Sequence, residues 1–185
     1  TEEVRRKIEA GDDERLLAIA EAMRRGYTED EIATWTAIDR WFLHKISRVV
    51  TFERRLLGLG PDLLDYQDWL DAKRLGFSDR QLARLWSVSE DEVRRRRTIM
   101  GVRPVYKMVD TCAGEFAAAT PYYYSCYEHE QEAVRSERPK VLVLGSGPIR
   151  IGQGIEFDYC SVHAVWALAR AGYETVIINN NPETV

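Results

Sequence analysis

The chain has 185 residues, with 26 Lys+Arg against 30 Asp+Glu, a formal net charge of −4. At 45% hydrophobic it can build one or two small cores, and its acidity gives no general pull toward nucleic acid or anionic membrane. No apolar run approaches the ~18 residues of a membrane span. Its 3 cysteines, Cys112, Cys126 and Cys160, lack metal-ligand spacing and point to reduced thiols in a cytoplasmic protein.

The charged start, Thr1 to Arg6, reads as helix and not as a signal peptide. Arg15 to Arg25 follows as an amphipathic helix with Leu16, Ile19, Ala20 and Met23 on one side, ended by Gly26. Thr28 caps the next helix and Glu31 completes a capping box; its apolar residues are Ile32, Ala33 and Trp35. A third helix starts near Asp39 with Trp41, Phe42, Ile46, Val49 and Val50. After a turn at Gly58 to Asp62 the pattern returns: Gly26-Tyr27-Thr28-Glu29-Asp30-Glu31-Ile32-Ala33 reappears as Gly76-Phe77-Ser78-Asp79-Arg80-Gln81-Leu82-Ala83, and Ile38-Asp39 corresponds loosely to Val88-Ser89. The first hundred or so residues are therefore expected to be two related helical hairpins packed as one all-α unit.

Gly101 and Pro104 end the helices. Arg103 to Tyr127, with Tyr122, Tyr123 and Tyr124, has no decisive periodicity and reads as an irregular segment laid over a surface. Glu128 to Arg138 is highly charged and runs into Pro139 as a linker.

Lys140 to Leu144 looks like a strand buried on both faces. The glycine-rich turn Gly145 to Gly154 comes next, then a helix from about Glu156 to Ala171 with Cys160, Ala164 and Leu168 on its apolar face. Gly172 sits at the C-cap, and Thr175 to Ile178 form a second strand. The expected fold class is α + α/β: a helical domain, then the strand–loop–helix–strand opening of a Rossmann-like parallel sheet. Two strands are too few for an independent sheet, so an internal piece of a longer chain is expected.

The loop fits neither common nucleotide fingerprint. Arg150 stands where a dinucleotide site needs its third glycine, Asn179 to Asn181 where it needs an acid, and no Gly-Lys-Ser/Thr follows the loop. Two carboxylates stand out. In a parallel unit the loops bearing Glu156 and Glu183 emerge at the same end of the strands and can open on one crevice. Glu156 as an acid complementing the helix dipole, and Glu183 as a solvated loop residue, are equally consistent with the pattern. The rival class is a tandem helix-turn-helix nucleic-acid module with Arg94 to Arg97 on phosphates. Against it, Trp41 and Phe42 look like core, and the arginines follow Glu90, Asp91 and Glu92 at pairing distance. His44, His129 and His163 show no ligand spacing, and Cys112 has no neighbouring base.

The string Gly145-Ser146-Gly147-Pro148-x-Arg150-Ile151-Gly152-Gln153-Gly154-Ile155-Glu156-Phe157-Asp158-Tyr159, with Asn181-Pro182-Glu183-Thr184-Val185, closely resembles the large chain of carbamoyl-phosphate synthetase at the start of its second half. Ile149, where that half usually has Asn, matches the first half. The Tyr106-Lys107-x-Val109-Asp110-Thr111-Cys112-Ala113 string resembles the end of the family's oligomerisation domain, with Gly114 for the usual Ala. The resemblance implies a helical oligomerisation domain with a C-terminal strap over residues 1–127, a linker over 128–139 and a partial pre-ATP-grasp domain over 140–185. It further implies a parent ligase that makes carbamoyl phosphate from ATP, bicarbonate and ammonia from glutamine, for arginine and pyrimidine synthesis. The parent would use ATP, Mg²⁺ (or Mn²⁺) and K⁺, none of them bound by this stretch. Its partners would be the rest of the large chain, a glutaminase subunit and further copies of itself, with no nucleic acid and no membrane. No catalytic residue is implied here. Glu156 and Glu183 would line the passage that carries carbamate, supported by Gly145, Gly147, Arg150, Gly152 and Gln153.

Overall fold

A computed structural model describes residues 2–117, 122–145, 147 and 152–178, with only the backbone at 154 and 155. The chain divides into two compact units, Thr1–Ala133 and Val134–Val185. The first contains α1 (Glu2–Ala10), α2 (Arg15–Arg24), α3 (Glu29–Thr36), α4 (Arg40–Leu59), α5 (Tyr66–Arg74), α6 (Asp79–Trp86) and α7 (Glu90–Ile99), then strands β1 (Val105–Met108) and β2 (Tyr123–Cys126). The second contains β3 (Lys140–Leu144), α8 (Gly154–Arg170) and β4 (Glu174–Ile178). This is the expected class, an α-helical domain followed by the start of an α/β domain.

The duplication is visible bond by bond. At the end of α2, Gly26 N–H donates to Met23 O and Tyr27 N–H to Ala22 O; at the end of α5, Gly76 N–H donates to Lys73 O and Phe77 N–H to Ala72 O. Both glycines sit in the left-handed region, at φ 95° and 94°, where a Cβ would be strained. Thr28 and Ser78 then close complete capping boxes with Glu31 and Gln81. Both following helices end on a left-handed non-glycine residue, Ala37 and Ser87, and Asp39 and Ser89 cap α4 and α7. Burial repeats as well: Ile19 and Trp69, Ala22 and Ala72, Ile32 and Leu82, and Leu43 and Val93 are core pairs in matching places. Replacing either Thr28 or Ser78 by Ala is expected to cost about 1 kcal/mol, read as a lower denaturant midpoint at unchanged slope.

Two apolar clusters form, one per repeat, and α4 serves both. Its Leu43 and Val50 pack in the first cluster and its Leu56 in the second. The Trp86 indole N–H donates to Leu56 O at 2.9 Å, tying α6 to the far end of α4. One twenty-residue helix, about 30 Å long, thus welds the two hairpins into one body.

Three sequence expectations change here. Leu16 is exposed, because the buried face of α2 is Ala18, Ile19, Ala22 and Met23. Trp41 and Phe42 are 59% and 58% exposed, so they are not core, and that argument against a recognition helix falls. The arginine pairing does hold: Arg94 bonds Glu90, and Arg95 and Arg96 bond Glu92. The segment after Pro104 is more regular than expected. β1 and β2 form an antiparallel hairpin with Val105 opposite Cys126 and Met108 opposite Tyr123. Gln131 and Glu132 then lie along β1, the Gln131 side-chain oxygen Oε1 accepting from Tyr106 N–H and Glu132 N–H donating to Tyr106 O.

In the second unit β3 and β4 pair in parallel, from Lys140 opposite Glu174 to Leu144 opposite Ile178. β3 alternates exposed and half-buried and is not buried on both faces. Leu142, Leu144, Val176 and Ile178 stay exposed. Cys160 is exposed too, because the half-buried face of α8 runs through Val162, Val165 and Leu168. Gly172 ends α8 as expected, at φ 92°, with Tyr173 N–H donating to Leu168 O.

Candidate functional site: the glycine loop and the first turn of its helix

Parallel pairing brings the end of β3 beside the end of β4, so the chain leaves both strands at one edge. Gly145 sits at that edge and donates its N–H to Ile178 O at 2.7 Å, which closes the ladder. The backbone then turns through left-handed conformations at Gly147, φ 71°, and Gly152, φ 92°. A Cβ at Gly152 would meet nothing within 4 Å, so glycine is required there by backbone strain and not by crowding. Gln153 is the residue before α8, and its carbonyl accepts the first helical bond from Phe157 N–H at 3.2 Å.

Glu156 lies in the first turn of α8, with its side chain exposed. Among the described residues no ion pair holds its carboxylate. It therefore stands at the helix end where the dipole favours a negative charge, at the carboxyl edge of the parallel strands. Gly145, Gly147, Gly152, Gln153 and Glu156 are the expected loop and wall residues that lie among the described residues, between the end of β3 and the first turn of α8. Arg150 and Glu183 lie outside the described residues. What the described part offers chemically is an exposed carboxylate on the first turn of a helix, with no ion-pair partner among the described residues. This suits a surface that lines a space better than one that grips an anion.

A second constellation escaped the sequence reading. Asp79, with a side chain 8% exposed, accepts from Arg97 Nε at 2.8 Å and Arg97 Nη2 at 2.8 Å, and from Lys73 Nζ at 3.0 Å. Lys73 Nζ also donates to Phe77 O at 2.7 Å, and Arg97 Nη1 to Val102 O at 3.0 Å. Desolvation works to raise the Asp79 carboxyl, and the hydrogen bonds and charges of Arg97 and Lys73 outweigh it and hold it below its ordinary value. Arg97 is the last of an arginine run whose other members lie on the helix surface, which hid it. The available signal was the repeat itself: at the matching positions the first hairpin has Met23, Glu29 and Ser47.

Residues 1–101 match the family model described as carbamoyl-phosphate synthetase large chain, oligomerisation domain. Residues 137–185 match the model described as carbamoyl phosphate synthase preATP-grasp domain.

Proposed function

Because the chain belongs to the carbamoyl-phosphate synthetase large-chain family, we propose that it serves its parent ligase as connector, self-association surface and passage wall, without chemistry of its own. The parent phosphorylates bicarbonate with one ATP, ammonia from glutamine displaces that phosphate to give carbamate, and a second ATP phosphorylates the carbamate. Mg²⁺ (or Mn²⁺) and K⁺ assist, and a glutaminase subunit supplies the ammonia. The helical unit contributes association between copies. The glycine loop and Glu156, with Glu183, contribute the wall along which carbamate moves between active sites. The setting is cytoplasmic, and no described helix is long and apolar enough to cross a membrane.

The observation that carries this reading is Glu156 on the first turn of α8 at the strand edge, exposed and without a cationic neighbour among the described residues. Carbamate hydrolyses readily in bulk water, so its route must be enclosed. A wall carboxylate gives weak repulsion and keeps the anion from binding in transit. Self-association draws support from the exposed apolar side chains of the helical unit, Leu16, Leu17, Trp41 and Phe42 among them.

The isolated chain is the direct test. It is expected to hydrolyse no ATP and to sediment as an oligomer at high concentration. Turnover of ATP would contradict the silent role, and a strict monomer would reduce the helical unit to a spacer.

A further inference from the structure

The two helical repeats differ most where the second repeat meets the hairpin. Lys73, Asp79 and Arg97 form a nearly buried ion cluster, with side chains 8%, 8% and 11% exposed. Their counterparts in the first repeat are Met23, Glu29 and Ser47. There Glu29 has His44 Nδ1 at 3.5 Å as its recorded ion partner, and an open groove of about 430 Å³ lies between Met23, Glu29 and Ser47. Yet the first repeat has the same glycine cap, the same capping box, the same left-handed helix end and its own apolar core. The repeat is its own control: the ion cluster is not what makes this helical hairpin fold.

What the second repeat has and the first lacks is a covering segment. The chain leaves α7 at Val102, whose carbonyl accepts from Arg97 Nη1. It returns at Tyr127, whose ring lies 5.4 Å from Lys73 Nζ and packs on the second core. Arg74, next to Lys73, donates to Tyr127 O at 2.9 Å and to the Glu128 carboxylate at 3.0 Å. Both ends of the β1–β2 hairpin therefore meet one cluster. Three residues from three helices, α5, α6 and α7, converge on them.

We propose that Lys73, Asp79 and Arg97, with Arg74, form a latch that holds the hairpin's exit at Val102 and its return at Tyr127–Glu128 on the second repeat, and that opening it frees the hairpin while both helical repeats stay folded. The buried charge serves to seat Tyr127 and the departing chain, as a specificity device and not as a source of helix stability. The hairpin displays Tyr106, Tyr122, Tyr123 and Tyr124 at the surface, so the latch decides whether that face is fixed or loose.

In the intact chain, Lys73→Met, Asp79→Asn and Arg97→Ser made together remove the whole cluster and leave no buried charge unpaired, and Tyr127→Ala removes the seated ring and leaves the ions. Amide hydrogen exchange is then read segment by segment. In both variants, exchange of β1, β2 and 127–133 is expected to accelerate at least about tenfold, with α5, α6 and α7 unchanged within a few-fold. Unchanged hairpin protection in either variant would overturn the proposal. So would acceleration of α5–α7 in step with the hairpin, which would make the cluster part of the helical fold.

Discussion

Glu156→Lys in the full-length large chain is expected to cut carbamoyl phosphate formation by at least about tenfold, the factor that 1.4 kcal/mol of trapping produces, while bicarbonate-dependent ATP hydrolysis at the first site persists. The side chain is exposed on the first turn of α8, so the substitution buries no charge. Its structural cost is a cation at the positive end of the helix dipole, about 0.3–1 kcal/mol. The expected loss comes from position. A lysine at the strand edge would present an ammonium to an anion that must pass and leave, and a charged hydrogen bond of about 1.5–3 kcal/mol is enough to hold it. Glu156→Gln keeps the size, removes the charge and is expected to fall between. If both activities dropped together in Glu156→Lys, its role would be that of a helix-terminal acid.

Asp79→Asn is expected to be the most damaging single change in the helical unit, costing about 3–5 kcal/mol, because it leaves Lys73 and Arg97 buried without their shared anion. Removing the whole cluster should cost far less, since the penalty belongs to the uncompensated charges. The pH dependence has a definite sign. The Asp79 carboxyl is held below its ordinary value in the folded state, so its contribution is fully present above the unfolded value of about 3.9 and is lost as pH falls through the folded value. Acid unfolding of the native chain should therefore show a component below about pH 4 that Asp79→Asn lacks. Equal acid profiles for the two would contradict the assignment of that component to Asp79.

Local grammar made much of the fold legible. The capping boxes at Thr28 and Ser78, the helix-ending glycines at 26, 76 and 172 and the strand–loop–helix–strand order are each written in a few adjacent residues. Burial was less legible because it depends on what an element meets. Trp41 and Phe42 are apolar but face away from both cores, and β3 is apolar from Val141 to Leu144 but has Leu142 and Leu144 exposed. The hairpin was missed because its strands are four residues each and far apart in sequence, with tyrosines where alternation would show. The Asp79 cluster was missed for a related reason: its members come from three helices, and no spacing rule connects them. At the glycine loop, the glycines and Glu156 were readable as a motif, and the structure adds the parallel register by which the chain leaves both strands at one edge.

The most direct measurement for the passage role is the amount of ATP consumed per carbamoyl phosphate made by the full-length enzyme carrying Glu156→Lys. The proposed mechanism consumes two ATP per product when every carbamate arrives. The account predicts a ratio several times higher in the variant, with the excess ATP spent on carbamate that never reaches the second site. A ratio unchanged from the unsubstituted enzyme, whatever the overall rate, would contradict it.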